Sequence, residues 1–437
     1  MVAAKTLSDT HDVLVIEKNG DIADVVKNRL NVSVLNVDGT NPKSIDYAMK
    51  SHKPDMVIST LGRDDSNLFI CMMVKRHNPD TITIASVTDP DFVIQTTAQG
   101  VPGVDIIISP ELITADKMFR LCTIENAIDY EDVPEFGVKV AVMNVPDDSP
   151  LLGKVVMNII KSDDITVFAA VHDDSLIFQV DSVEIHAGDH LYMMGTEEAI
   201  ERFNFELGVK ITIRDIVILG GTIVGQRLAE LLIMDKTKRY VRLIEKDQAR
   251  SKQLSKMSGI LVIGADFTEP DIQKSENIFK SDCLVTVTDQ DDTNLLMCMA
   301  AHRNNTNKVV SRYIKKEYID IFSFDGLQTI VGFDRIVANE ISKCVMSESK
   351  VLMRMREQNE ILFIHDVNRH SKLQDKYYGD IKMPERIRIL AIYRNGGIIY
   401  PKMDTMFLEG DMVLVFTNFT RDKELARIFG RNVVTEG

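Results

Sequence analysis

The chain repeats itself. Val13–Lys18 reads VLVIEK, and Val241–Lys246 reads VRLIEK. Asp55–Leu68 (DMVISTLGRDDSNL) returns as Asp282–Leu295 (DCLVTVTDQDDTNL), and Val37–Pro42 (VDGTNP) returns as Ala265–Pro270 (ADFTEP). These matches keep their order at an offset of about 227 residues. Several ordered matches at one spacing mean a duplicated unit, which constrains the architecture before any single residue does. The second parts of the two units correspond as well. Val138–Phe203 and Glu360–Phe429 each alternate apolar and polar residues around a Gly-Asp turn, AGD at Ala187–Asp189 and EGD at Glu409–Asp411. Glycine supplies the positive φ that such a turn needs between two strands. A short amphipathic helix is expected at the end of each, over Glu197–Phe205 and Arg421–Phe429.

The predicted fold class is α/β, with two tandem Rossmann-like parallel-sheet domains, each followed by a small α+β domain. The expected boundaries are 1–125 and 136–206 for the first pair, and 211–333 and 355–431 for the second. Pro110–Val133 and Asp334–Glu357 read as long helical joints, with the second copy starting near Ile211. Neither joint has the Gly/Ser-rich composition of a flexible linker, so rigid packing of the copies is expected.

The second copy carries the clearest ligand signal. An apolar strand over Ile213–Leu219 runs into GGTIVG (Gly220, Gly221, Thr222, Ile223, Val224, Gly225) and then a helical run, Gln226–Met234. The next strand, Val241–Ile244, ends at Glu245. An acidic residue about 20 positions beyond a glycine turn is where a dinucleotide fingerprint places its ribose ligand. Glycines let the backbone approach a pyrophosphate, and the helix N-terminus offers free N–H groups and positive potential. A Glu245 carboxylate would accept from ribose hydroxyls and repel a 2′-phosphate, which disfavours NADP. The fingerprint's middle glycine is here Thr222, whose Cβ narrows the approach. Thr288 and Asp289 follow a strand at the carboxyl edge, where ligands bind in open α/β sheets. Asp266 and Arg312 each follow a strand too, and would meet a base or ribose and a phosphate respectively. Loop caps for Asp266 and Asp289, and a solvated charge for Arg312, are the competing structural readings.

The first copy differs. When Glu17 is aligned with Glu245, the first strand and the glycine turn have no counterpart before the helical Ala3–Ser8, and Ser86 stands opposite Arg312. Either the chain was cut or started late, or this copy has lost its phosphate cradle. Glu17 and Asp38 remain as ribose-side candidates, but without the turn a dinucleotide lacks its main anchor. The expectation is one sensing copy and one structural copy. The missing strand also leaves a sheet position for another segment to cover.

Other chemistry is not signalled. A net charge of −14 would repel a nucleic-acid backbone, so no nucleic-acid partner is expected. The five cysteines form no CxxC pair and read as reduced, buried thiols. HEXXH, GxSxG, Walker A and kinase signatures are absent. His186 and His190 flank a hairpin turn and read as surface histidines, and His77 and His302 lack ligand partners in the sequence. Met72, Met73, Met297 and Met299 recur at helical spacing and read as packing. No catalytic acid or base can be nominated, and no metal site, so a non-enzyme is expected.

Tandem nucleotide-binding domains, each followed by a small domain with a GD hairpin, resemble the Trk potassium-uptake regulatory subunits, which are built of RCK (regulator of potassium conductance) domains. The residues that carry the resemblance are GGTIVG with Glu245, the repeated DDSN (Asp64–Asn67) and DDTN (Asp291–Asn294), ISPEL (Ile108–Leu112) and the two GD hairpins. The resemblance covers essentially the whole chain. It implies a cytoplasmic protein, peripheral at the inner face of the cell membrane, that forms a homo-oligomeric ring under a membrane potassium transporter. It also implies binding of NAD(H) or ATP/ADP by Gly220–Gly225, Glu245, Thr288 with Asp289, and Arg312. The alternatives are an RCK-type regulator of another cation channel or antiporter, and an NAD-dependent oxidoreductase.

Overall fold

The computed structural model describes residues 1–8, 11–89, 92–93, 100–159, 164–209, 212–324, 329–344, 349–354, 360–418 and 422–430. The expected boundaries at 211, 355 and 431, and the Arg421 start of the last helix, lie outside these residues. The chain forms two compact units, Met1–Thr114 with Asp334–Val345, and Ala115–Phe333 with Met346–Glu436.

The first unit carries five short strands: β1 (Leu14–Ile16), β2 (Ser33–Leu35), β3 (Met56–Ser59), β4 (Ile82–Ser86) and β5 (Ile106–Ile108). All pairings among them are parallel, in two sheets of order β1-β2 and β3-β4-β5. Isoleucine and valine fill these strands because their branched side chains suit a sheet packed on its faces. The helix Phe333–Cys344, far along the chain, lays Val337 and Ile341 against Ile84 and Ile108.

The second unit begins its strands with β6 (Ala127–Val133), β7 (Val138–Asn144), β8 (Ile165–His172), β9 (Ser175–Ile177) and β10 (His190–Gly195). They form an antiparallel sheet of order β6-β7-β10-β8-β9. Next come β11 (Asp215–Leu219), β12 (Tyr240–Glu245), β13 (Leu261–Gly264), β14 (Cys283–Thr286), β15 (Lys308–Tyr313) and β16 (Ile330–Gly332). Their sheet is fully parallel in the order β13-β12-β11-β14-β15-β16. Counted from β11, this is the 3-2-1-4-5-6 order of the dinucleotide-binding Rossmann fold, whose strand order reverses between β11 and β14. The chain ends with β17 (Ser349–Arg354), β18 (Ile361–Asp366), β19 (Ile387–Arg394), β20 (Gly397–Ile399) and β21 (Met412–Thr417), in the order β17-β18-β21-β19-β20. The two small sheets therefore share one topology. They also share one core, in which the Phe168 and Phe416 rings meet edge to face at 4.9 Å and buried Tyr192 donates to Glu360 Oε1 at 2.7 Å.

Both joints depart from the expected long helices. The first is a helix over Pro110–Thr123 followed by β6, and the second is the helix Phe333–Cys344 followed by β17. Strand β6 pairs with β7, and β17 with β18, so each small sheet takes its first strand from a segment read as a helical joint. Pairing with a neighbouring strand outweighs the helical pattern of these segments. Beyond the first joint, Lys308 Nζ donates to the carbonyls of Glu125 (2.8 Å) and Ala127 (2.6 Å). These bonds fasten the start of β6 to β15.

Candidate functional site

The glycine turn is built by necessity at each of its glycines. Gly220 leaves β11 with φ +109°, a conformation that strains any residue with a Cβ. A Cβ on Gly221 would fall 2.5 Å from Leu254 Cδ1 and 2.9 Å from Glu245 Oε2, and one on Gly225 would fall 2.2 Å from the Gly220 carbonyl. Thr222 has an ordinary extended backbone, φ −65°, and caps the helix Ile223–Met234. Its hydroxyl accepts from Gly225 N–H at 3.2 Å and donates to the Val287 carbonyl at 2.8 Å. Thr222 thus needs no glycine conformation, and its side chain is tied back to the end of β14. The first-turn N–H groups of the helix lack intrahelical acceptors and face the turn, the arrangement that holds phosphate. Val224 and Gly225 are buried, and Ile223 is partly so.

Glu245 closes the other side. Its Oε2 accepts from Gly221 N–H at 2.6 Å, and its Oε1 accepts from Asp247 N–H at 2.8 Å. One carboxylate therefore ties the glycine turn to the β12 turn. Thr288 stands against Gly220, and its hydroxyl and N–H both donate to Asn294 Oδ1. Arg312 is buried at the end of β15 and donates to Asp289 Oδ1 at 2.6 Å and to the Thr288 carbonyl at 2.9 Å. Asp289 itself is exposed. Gly220–Gly225, Glu245, Thr288, Asp289 and Arg312 thus meet at the carboxyl edge of the parallel sheet, at its switch point.

Asp266 behaves differently. Its Oδ1 accepts from Thr268 N–H (2.9 Å) and Thr268 Oγ1 (2.6 Å), and these bonds hold its pKa below the usual value. Asp38 does the same with Thr40, at 2.9 Å and 2.7 Å. Both aspartates cap their own turns, and for Asp266 this is the loop-cap reading weighed from the sequence. Glu17 keeps half of the Glu245 pattern, with Oε1 accepting from Asn19 N–H at 2.8 Å.

The repeated DDxN motifs are framework. Asn294 Nδ2 donates to the carbonyls of Thr288 (3.0 Å) and Arg312 (3.1 Å), and Asn67 Nδ2 donates to those of Leu61 (2.9 Å) and Ser86 (2.8 Å). Asp291 accepts from the N–H groups of Ile314 and Lys315, as Asp64 does from those of Thr88 and Asp89. The motifs recur because both copies staple the same two loops.

One basic residue was not found by sequence reasoning. Arg250, on the helix Gln248–Leu254, donates from Nε to the Gly221 carbonyl (2.8 Å) and from Nη2 to Gln226 Oε1 (2.9 Å). Its guanidinium stands at the mouth of the glycine turn. The only hint in the sequence was its position one turn after the acidic end of β12.

The residues fit a nucleotide. The Gly221 and Gly225 positions admit no Cβ, a carboxylate lies beside the turn, and two arginines stand near its edges. Among the described residues no helix is long and apolar enough to cross a membrane.

Comparison with known proteins agrees with this architecture. The TrkA-N domain family model matches residues 1–110 and 216–333, the two parallel-sheet regions. The chain is 28% identical over 437 residues to the Trk system potassium uptake protein TrkA homolog 1 of Methanosarcina mazei, covering 98% of this chain and 96% of that one. It is 22% identical to the Trk system potassium uptake protein TrkA of Vibrio alginolyticus, covering 95% and 92%. Among solved structures, the GsuK RCK domain superposes with TM-score 0.63 at 16% identity, covering 98% of this chain and 91% of that one. The GsuK channel bound to NAD superposes with TM-score 0.62 at 17% identity, covering 97% and 75%. With the family model matching more than half of its residues, the chain belongs to the TrkA-N domain family.

Proposed function

We propose that this chain is a nucleotide-sensing regulatory subunit of a membrane potassium-uptake system. The observation that carries this reading is the glycine turn clasped by Glu245 at the switch point of the second parallel sheet. NAD(H) or an adenine nucleotide is the ligand class. Gly220–Gly225 and the helix N-terminus would hold its phosphates, and Glu245 its ribose. Arg250 and Arg312 would supply positive charge at the edges. The bound group supplies no chemistry, because its role is to favour one conformation over another through differential affinity. The names of the full-length relatives, potassium-uptake proteins, support the choice of partner. The protein would act on the cytoplasmic face, peripheral to the membrane and as a homo-oligomeric ring.

Calorimetric titration of the full chain and of Glu245→Ala with NAD, NADH, ATP and ADP tests the site. Co-purification with a potassium transporter, and nucleotide-dependent transport by the pair, test the role. Nucleotide binding that leaves transport unchanged would overturn the regulatory reading. Hydride turnover on a substrate panel would replace it with the oxidoreductase alternative.

A further inference from the structure

We propose that His172, His186 and Asp189 form a binding site for a divalent transition-metal ion of the zinc class in the first small domain. Strand β8 ends at His172, and the Gly-Asp turn before β10 carries His186 and Asp189. Register pairing of His190 with Val171 brings the turn against the strand end. The turn is preorganised: Gly188 has φ +80°, and Asp189 Oδ2 accepts from His186 N–H at 2.8 Å.

The side chains converge. His172 Nδ1 lies 2.7 Å from Asp189 Oδ1, and His186 Nδ1 lies 3.9 Å from Asp189 Oδ2. The two imidazole rings are 4.7 Å apart, and one ligand atom from each of the three residues lies within 4.8 Å of the others. The carboxylate sits at the base, 3% exposed, and the imidazoles form an open rim at 34% and 51%. The outer nitrogen of each ring faces a further carboxylate: His172 Nε2 is 3.5 Å from Asp173, and His186 Nε2 is 4.0 Å from Glu184. With a metal on Nδ1 the proton of each ring would sit on Nε2, facing these carboxylates, as in the second shells of histidine–metal sites. His190, read from the sequence as a surface histidine like His186, is instead a buried residue of β10.

The other half of the chain provides an internal comparison. Asp411 occupies the same turn position in the second small domain and is likewise buried. There Arg394, at the end of β19, donates from Nε to Asp411 Oδ1 (2.6 Å) and from Nη2 to Oδ2 (2.7 Å). Leu408 stands where the first copy has His186, and its N–H donates to Asp411 Oδ2. The shared framework buries a carboxylate that needs a cation. The second copy supplies one permanently as a guanidinium. The first copy replaces arginine and leucine with two imidazoles, which carry no fixed charge and are metal ligands. A metal ion would replace the proton between His172 and Asp189, parting these atoms to the roughly 3.3 Å separation set by bonds of about 2.0 Å in a tetrahedral site. The fourth position opens to solvent and takes water.

The test is titration of the metal-stripped full chain with zinc, in parallel with His186→Ala and His172→Arg. The wild-type chain is expected to bind one zinc ion per chain at this site, with proton release and a raised melting temperature. Both variants should lose affinity by at least about a hundredfold, since even outer-shell losses reach that size. His172→Arg installs the second copy's ion pair and should melt no lower than the metal-free wild type, which separates metal loss from misfolding. Absence of stoichiometric binding overturns the proposal. Binding that persists in both variants also overturns it, because the ion would then sit elsewhere, for example on cysteines.

Discussion

Glu245 Oε2 accepts the Gly221 N–H at 2.6 Å, so the acidic end of β12 and the glycine turn after β11 are one hydrogen-bonded unit. Replacing Glu245 with alanine removes this bond and the one to Asp247 N–H. Hydrogen bonds to charged groups contribute about 1.5–3 kcal/mol each. Nucleotide affinity is expected to fall roughly 10- to 100-fold by calorimetry. An unchanged dissociation constant would remove the site assignment.

Gly225→Ala tests the turn itself. The new Cβ would lie 2.2 Å from the Gly220 carbonyl, a backbone atom that cannot swing away. Overpacking of this kind costs about 1–3 kcal/mol. The melting temperature should drop, and nucleotide should recover little of the loss because the turn that holds it is displaced. A variant as stable as the wild type would show that the turn is looser than described.

Arg250→Ala tests the residue that the sequence did not single out. Its loss removes the donors to the Gly221 carbonyl and Gln226. Affinity for ADP and NAD should weaken by about tenfold, and the wild-type affinity should depend more steeply on salt than the variant's. Equal salt dependence in the two proteins would place Arg250 outside the ligand's reach.

Tyr192→Phe probes the joined core of the small domains. The Tyr192 hydroxyl and Glu360 are both buried, with a 2.7 Å bond between them. Removing a buried donor to a carboxyl group costs about 1–3 kcal/mol. Denaturant unfolding should report a loss of that size. A neutral result would mean that Glu360 finds equal compensation without the tyrosine.

His365 sets an acid limit on stability. It lies 1% exposed on β18, near Ser371 Oγ and the Phe429 ring, and burial pushes its pKa down to about 4. The unfolded chain protonates near the usual value of about 6.5. Between these values the unfolded state binds more protons than the folded one, so stability rises with pH across that window and is lost as pH falls through it. The full effect is on the order of 3 kcal/mol, and His365→Gln should flatten the pH dependence of unfolding between about pH 4 and 6.5. An equally steep profile in the variant would assign the acid sensitivity to other groups.

Much of this architecture was legible because it is local or periodic. The duplication is a matter of spacing. The glycine turn follows from what each position can tolerate: positive φ at Gly220, and no room for a Cβ at Gly221 or Gly225. The position of Glu245 follows from strand length alone, since β12 delivers it beside the turn. The fate of Thr222 was not legible, because its hydroxyl partner Val287 lies 65 residues away, just beyond β14. Arg250 belongs to no sequence motif, and its place shows only once its helix packs against the turn. The joints read as helices because apolar spacing does not reveal that β6 and β17 find partner strands. His186 and His190 both read as surface histidines, but β10 is buried along its whole length, His190 included, and the turn brings His186 to His172. Sequence by itself therefore determined the repeat, the fold class and the backbone of the glycine turn, where the constraints are carried by adjacent residues. Tertiary structure alone decided which distant side chains share a carboxylate, because the pairings of His172 with Asp189 and Arg394 with Asp411 exist only once strand register sets them opposite each other.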